Sequence, residues 1–569
     1  MTTKYGSSES QTATHEVFNQ VPPLWDTNIF TADLPLVTAI HRYGASWAYE
    51  RLESFGQAMG SREVLLWAEQ ANRFPPQLKT HDCTGNRVDE VEFHPAYHNL
   101  MALSVEYGVH NLPWANPRPG AHLARAALMY MAYQTEAGHC CPLSMTYSVV
   151  PALRRQTDLA AYWEPFVCGN GYDGRLVGQA DKPGVIFGMG MTEKQGGSDV
   201  RANSTRAVPK AQDGPGKEYL LTGHKWFCSA PMSDAFLVLA QARGGLSCYL
   251  VPRILKDGSR NNFAIQRLKD KLGNKSNASG EVEFRDTTGF LVGEEGRGVA
   301  TIIEMVNHTR LDCAIGSAAL MRQATVQAIH HGKHRSVFGK RLIEQPLMIN
   351  VLGDLSLEAE AAELLMLRLA HAYDLATESE TQESFRRIAS AITKYWLCKR
   401  APMHVSEALE CLGGNGYVEE SVMSRLFRES PVNSIWEGSG NVICLDVMRA
   451  IAKEPDTIDA LADELAIANG ASKIYDKYAA GVVKTLKGVQ DSLGRGDSEV
   501  AKVQTAARHV VERTALALQA CQMIRYTPAF VANAFIGSRL GSRHGYSFGT
   551  LNASARPAVL LDRYAGKSN

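Results

Sequence analysis

What this sequence of 569 residues lacks narrows the field first. No stretch approaches the roughly 18 consecutive apolar residues that a membrane span requires, so no membrane partner is expected. The first thirty residues, MTTKYGSSESQTATHEVFNQVPPLWDTNIF, hold no apolar run of the kind that forms a secretory leader. The eleven cysteines are scattered, odd in number and without a CxxC spacing, which argues against a disulfide framework and a zinc site. Reduced, mostly buried thiols in a cytoplasm are the simple reading. Net charge is missing as well: Lys plus Arg is 59 and Asp plus Glu is 59. Overall charge therefore recruits no partner, and any electrostatic argument rests on how charge is distributed.

A hydrophobic fraction of 45% with 21% charged residues is that of a globular protein, and the length calls for three or four domains. Residues 1 to about 13 are polar and read as a frayed arm. From about 33 to 180 the texture is helical, as in Ala121 to Glu136 (AHLARAALMYMAYQTE), broken by PWANPRPG between Pro113 and Gly120. Between about 185 and 290 the segments turn short, β-branched and aromatic (EYLLTG, KWFCS, AFLVLAQA, LSCYLVP, SGEVEF), which predicts an antiparallel sheet. Helices return from about 297. Leu355 to Ala372 carries Glu358, Glu360 and Glu363 towards its N-terminal half, where the helix dipole favours acid. The expected division is 1–184 helical, 185–296 β, 297–450 helical and 451–569 helical and basic. The fold class is thus mainly α with a central β domain.

Five segments carry candidate chemistry. In Met189 to Val200, MGMTEKQGGSDV, the hydroxyls of Thr192 and Ser198 and the backbone at Gly196 and Gly197 can cradle an anion, though so can many Gly-rich loops. Thr222 to Ser229 (TGHKWFCS), Arg335 to Gln345 (RSVFGKRLIEQ) and Glu410 to Tyr417 (ECLGGNGY) follow in order. Last comes Ser434 to Asn441, SIWEGSGN, which sets Glu437 between an aromatic ring and a Gly-Ser-Gly turn. On its own, Glu437 reads as a solvated loop residue.

Together and in this order the five segments resemble the acyl-CoA dehydrogenase family over roughly 185 to 450. MTEKQGGSDV is similar to that family's flavin loop, KWFCS to its flavin strand, RSVFGK and LGGNGY to its adenine-end segments, and WEGSGN to its base loop. The resemblance implies FAD as cofactor and Glu437 as the base that removes the α-proton of an acyl thioester. The β-hydride then goes to the flavin, and the base's own backbone N–H helps to hold the thioester carbonyl. It implies that Met191, Thr192, Trp226, Phe227 and Ser229 lie against the flavin ring and that Gly197 and Ser198 hold the pyrophosphate. Trp436, Ser439 and Asn441 belong to the same cofactor-binding set. Arg335, Phe338, Gln345, Glu410, Gly413 and Gly414 would bind the adenine end across a subunit boundary, in a homotetramer.

The departures from the family pattern are Lys194-Gln195 for Pro-Gly, Phe227 for Trp and Ser229 for Thr. With VFNQVPPL, LKDKLGNKSNAS and the extra C-terminal block, they resemble the AidB branch, associated with the response to DNA alkylation. Residues 501 to 569 hold nine basic and two acidic side chains, an excess of seven, so the preceding 500 carry seven net negative charges. Such a block is the footprint of a polyanion partner, or a surface that packs against acidic patches of neighbouring subunits. The branch favours double-stranded DNA, with Arg449, Arg525, Arg539, Arg543 and Arg556 as contacts. No zinc finger or helix-turn-helix appears, so contact would be to the backbone without base specificity. Two readings therefore stand. One is a DNA-associated flavoprotein that protects against alkylation, with at most weak dehydrogenase activity. The other is a metabolic acyl-CoA dehydrogenase or oxidase with a structural C-terminal block.

Overall fold

A computed structural model describes residues 14–541 and 545–566, so the polar arm expected over 1 to 13, and Arg543, lie outside the described residues. The N-terminal helices are α1 (Leu34–Arg42), α2 (Tyr49–Met59), α3 (Arg62–Arg73), α4 (Pro95–Glu106), α5 (Leu112–Ala115), α6 (Ala121–Thr135), α7 (Cys140–Leu153) and α8 (Thr157–Val167). Their starts follow from local chemistry. Pro occupies the first turn of α1, α4 and α5, where its missing N–H costs nothing, and Ser61 caps α3 by accepting from the Val64 N–H at 3.3 Å.

One correction falls here. The helical texture is interrupted by an antiparallel hairpin of β1 (Gln77–His81) and β2 (Arg87–Glu92). Its strands are mostly polar, so no apolar alternation announced it. It ties the helices to the β domain: the Ile265 N–H donates to Asp89 Oδ1 at 3.0 Å, and Arg253 donates to the Asp89 carbonyl at 2.9 Å.

The β domain comprises β3 (Phe187–Gly190), β4 (Arg206–Pro209), β5 (Glu218–Ser229), β6 (Ala235–Ala242), β7 (Gly245–Pro252), β8 (Phe263–Leu268) and β9 (Ser279–Leu291). The strand order is β3-β6-β4-β5-β9-β7, with β8 on β9 and β7 also on β6, so the central strands close into a ring. The sheet is mixed and not purely antiparallel, because β3 and β4 run parallel to β6. Strand β6 is apolar on both faces for a reason. Phe236 and Val238 point into the ring, while Leu237 and Leu239 join a core shared with α7 and α8.

The second helical block holds α9 (Gly298–His334), a short hairpin of β10 (Ser336–Val337) and β11 (Lys340–Arg341), α10 (Pro346–Leu375), α11 (Glu380–Glu410), α12 (Gly414–Tyr417), α13 (Val422–Glu429) and α14 (Gly440–Lys453). The C-terminal block adds α15 (Asp456–Ala466), α16 (Lys473–Leu493), α17 (Asp497–Tyr526), α18 (Ala529–Phe535) and α19 (Pro557–Tyr564). It packs into the same large core as α10 and α11. Gly353 lets α19 approach, since a side chain there would meet the Pro557 carbonyl at 2.8 Å.

The acids of α10 are not where the dipole argument puts them. Glu358 lies about three turns beyond Pro346, outside the reach of the helix N-terminus. Asp354, Glu358, Glu360 and Glu363 are instead all buried. Arg539 pairs with Asp354 and Glu358, Arg400 with Glu358 at 3.1 Å, and Arg563 with Glu360 at 2.6 Å. Arg525 pairs with Glu464 of α15 at 2.9 Å. Two residues expected to contact DNA, Arg525 and Arg539, are thus turned inward, because buried carboxylates require cationic partners. Lys502 pairs with Glu499, and Arg513 lies over the Tyr478 ring. Arg449 stays 63% exposed beside Asp446, and Arg556 is exposed over the Phe530 ring. Much of the basic excess is spent within the chain itself.

Burial alone would push the Glu358 carboxyl up, but Arg400 and Arg539 outweigh it and hold it at about 2. That stabilisation is present at neutral pH and is lost as pH falls from about 4.3 towards the folded value. Arg539→Met should therefore lower the thermal midpoint at pH 7 and expose the C-terminal block to limited proteolysis. Breaking a buried pair typically costs about 3–5 kcal/mol. The midpoints of variant and parent should converge as pH is lowered below about 4.

Candidate active site

The base loop runs from α13 to α14. Glu437 adopts a left-handed backbone (φ +56) and Gly438 follows at φ +106. A non-glycine residue held there typically costs about 1–3 kcal/mol unless its surroundings enforce it. Here three successive carbonyls are gripped by two cations. Lys394 Nζ of α11 donates to the Trp436 carbonyl at 3.0 Å and to that of Gly438, and Arg310 Nε of α9 donates to the Glu437 carbonyl at 3.2 Å. Arg310 is itself held by Asp446 of α14 at 2.8 Å. The indole N–H of Trp436 closes the turn on Asn433 Oδ1 at 3.0 Å.

The Glu437 side chain is turned to the protein. The Thr309 hydroxyl donates to Oε2 at 2.8 Å. Burial raises the carboxyl above its ordinary range, and Thr309, Lys394 and Arg310 oppose that rise. A carboxylate drawn towards neutral pH while kept accessible to a proton donor is what a general base needs.

The flavin-loop motif starts at the end of β3. Glu193 is buried and accepts from Lys225 at 2.8 Å, from the Ser204 N–H at 2.7 Å, from the Ser204 hydroxyl and from the Thr205 N–H. Burial pushes this carboxyl up, yet Lys225 and these donors hold it well below the usual range. The loop is thereby anchored from inside. Its backbone reaches the next motif directly, since the Trp226 N–H donates to the Thr192 carbonyl at 2.9 Å. Lys269 Nζ lies 3.2 Å from the centre of the Trp226 ring. Phe227 remains 51% exposed at the end of the same strand.

The structure therefore brings Met191, Thr192, Gly197 and Ser198 together with Trp226, Phe227 and Ser229. Cys141 of α7 lies between this group and Glu437: its thiol is beside Ser229 and feels the Glu437 charge. Met191 and Trp436 pack on the core that contains Cys141 and Met145. Ser439 precedes α14, and Asn441 accepts from Arg508 of α17 at 2.8 Å, so the C-terminal block abuts the base loop.

The adenine-end residues form a second group. Arg335 donates to the Asn19 carbonyl at 2.6 Å and Gln345 to the Val337 carbonyl at 3.1 Å. Phe338 projects 98% exposed from the hairpin, and a side chain at Gly413 or Gly414 would meet open space. Along α9, Arg335 is about 40 Å from Thr309 at 1.5 Å per residue. The two groups of one chain are not neighbours. Sequence reasoning missed Thr309, Arg310, Lys394 and Cys141. Only Lys394 left a trace, as a charge within the apolar stretch SAITKYWLC.

Among the described residues no group of His, Cys, Asp and Glu could hold a metal ion, and no helix is long and apolar enough to cross a membrane. All eleven cysteines are free, and all but Cys83 and Cys168 are buried.

Helices, a β ring, helices again, and a half-buried glutamate near a flavin-loop motif define the class of FAD-dependent acyl-CoA dehydrogenases, oxidoreductases by chemistry. Similarity to known proteins narrows this. The family described as the adaptive response protein AidB N-terminal domain matches residues 19–174, the acyl-CoA dehydrogenase middle domain 188–287 and its C-terminal domain 296–452. The AidB protein of Escherichia coli (strain K12) is 43% identical over 94% of this chain and 95% of its own. Acyl-CoA dehydrogenase family member 11 of Caenorhabditis elegans is 30% identical over 81% of this chain and 77% of its own. The crystal structure of Caenorhabditis elegans ACDH-11 in complex with C11-CoA superposes with a TM-score of 0.81 at 25% identity, covering 98% of this chain and 94% of that one. The chain belongs to the acyl-CoA dehydrogenase family and, within it, to the AidB branch.

The buried Glu193–Lys225 pair generates one expectation. Lys225→Met leaves a buried carboxylate without its cation, which should free the loop from Met191 to Ser198. Reduced FAD content on purification and a lower thermal midpoint are expected, read from the flavin absorbance per protein and from a melting curve.

Proposed function

We propose that this protein binds FAD and removes the α-proton of an acyl-CoA thioester with Glu437, forming an α,β-unsaturated acyl-CoA. The observation that carries the reading is the half-buried Glu437 carboxyl, held by Thr309 beside the flavin-loop motif. The residues fit the cofactor. A half-exposed aromatic face at Phe227 lies beside Trp226, next to the hydroxyls of Thr192 and Ser229, as suits a flat and partly apolar ring. Gly197 and Ser198 would hold the pyrophosphate. When bound, FAD supplies the acceptor for the β-hydride.

The chain's own contribution is proton transfer and exclusion of water. Glu437 takes the proton, its backbone N–H serves the thioester carbonyl, and Trp436, Met145 and Met191 wall the site with apolar surface. The distance along α9 supports a shared cofactor: Arg335, Phe338, Gln345, Glu410, Gly413 and Gly414 would serve the adenine end of a neighbouring subunit's FAD in a homotetramer. The free thiols suit a cytoplasmic location.

Purified protein should be a tetramer with one non-covalent FAD per chain. Glu437→Gln should keep both and lose acyl-CoA-dependent flavin bleaching by about 10²–10⁴-fold, the usual worth of a general base. Bleaching at the parent rate would exclude Glu437 as the base.

A second activity, binding of duplex DNA in protection against alkylation, is favoured by one specific surface. Lys473, Lys477, Lys484 and Lys487 of α16 are all exposed. At about 100° per residue they share one face about 80° wide, with Asp491 at its end. Exposed Arg449 and Arg556, with Arg543 outside the described residues, are the remaining candidates from the sequence. With about four phosphates neutralised, the logarithm of the binding constant should fall with the logarithm of salt concentration at a slope near −4. Lys484→Glu with Lys487→Glu should weaken binding to every sequence alike and flatten that slope, and Glu437→Gln should leave it unchanged. No DNA affinity at low salt would leave the dehydrogenase reading alone.

A further inference from the structure

Lys394 is the feature that the proposed chemistry has not yet used. It is only 1% exposed, in the middle of α11, and its ammonium donates to the carbonyls of Trp436 and Gly438, on either side of the base. A buried ammonium is costly unless hydrogen-bonded, and carbonyl acceptors satisfy its donors without neutralising its charge. The positive charge therefore remains available to the Glu437 side chain. Arg310 is placed differently: it grips the Glu437 carbonyl and is ion-paired to Asp446, a carboxylate that Arg387 shares at 3.2 Å.

We propose that Lys394 is a positioning residue for the base, fixing Glu437 in its left-handed turn and supplying the unpaired positive charge that keeps the carboxylate ready to accept a proton. This rests on the reading of Glu437 as the base. Every charged or titratable group around the carboxylate is then accounted for. Arg310 and Cys313 come from α9, Lys394 from α11 and Cys141 from α7. Both thiols are driven up by burial and stay neutral, Cys141 to about 12. Thr309 contributes a neutral hydrogen bond. Lys399 touches Gly440 and Arg508 holds Asn441, both beyond the turn. Lys394 is thus the cation near Glu437 that lacks a carboxylate partner of its own among the described residues.

The sign of the effect follows. Removing a nearby cation disfavours the ionised carboxylate, typically by one unit or more, so the base becomes competent only at higher pH. The experiment is a pH profile of flavin reduction in the FAD-loaded protein with saturating acyl-CoA, for the parent, Lys394→Met and Lys394→Arg. The acidic limb should move up by about one pH unit in Lys394→Met and stay near the parent's in Lys394→Arg. A structural role alone would lower rates or thermal midpoint without moving the limb, and that result overturns the proposal. Should Lys394→Met fail to fold, Lys394→Arg decides alone: a limb displaced by a unit or more counts against the charge, and a retained limb supports it. A pH titration of the bound flavin spectrum without substrate, with Glu437→Gln as blank, reads the ionisation of Glu437 directly. If no acyl-CoA bleaches the parent protein, the dehydrogenase reading fails. The spectral titration still tests Lys394, which is upheld by an upward displacement in Lys394→Met and refuted by none.

Discussion

Charge buried inside the helical core is the constraint on which the rest of this structure depends. Helix α10 carries Asp354, Glu358, Glu360 and Glu363 away from water. A desolvated carboxylate must find a cation or take up a proton. Arg400, Arg539 and Arg563 answer the first three. Glu363 faces Asp33 instead, and burial together with that neighbouring acid drives it well above the usual range, against the pull of Arg322. Two of the three arginines come from the C-terminal block. That block is consequently part of the body of the fold.

The same rule shapes the active site, with the opposite outcome. At Glu193 the buried carboxylate receives a full complement of donors and a lysine, and the result is a rigid anchor under the flavin loop. At Glu437 the carboxylate receives one hydroxyl and cations engaged mainly with the backbone, and the result is a raised pKa. Two glutamates in one protein are shifted in opposite directions by how completely their charge is compensated. Helix α9 then separates this chemistry from the hairpin that bears Phe338, and that separation is the ground for the proposed sharing of the cofactor between subunits.

Sequence motifs reported the family well because its signatures are local runs. The loop from Met191 to Ser198, the strand from Trp226 to Ser229 and the WEGSGN turn each need particular residues side by side, and the family resemblance could be read from those runs. The β1–β2 hairpin escaped because its strands are polar and it packs by hydrogen bonds to Ile265 and Arg253, which leave no periodic apolar signal. The parallel course of β3 escaped because strand direction is set by the connections and not by composition. Thr309 and Arg310 escaped because each lies inside a long helix, where nothing in the neighbouring residues marks it as facing Glu437; Lys394 showed only as a charge in an apolar stretch.

The sequence by itself determined the mainly α architecture with a central β domain, the acyl-CoA dehydrogenase resemblance and Glu437 as the candidate base. Each of these is encoded by residue type at short range. Only the tertiary structure decided what the charges do. Counting nine basic residues against two acidic ones gives an excess of seven over residues 501–569, but not its destination. Arg525, Arg539 and Arg563 turn inward to acids that precede them by 61 to 203 positions in the chain. Coulombic partners are chosen by distance in space, and that distance exists only once the helices have packed.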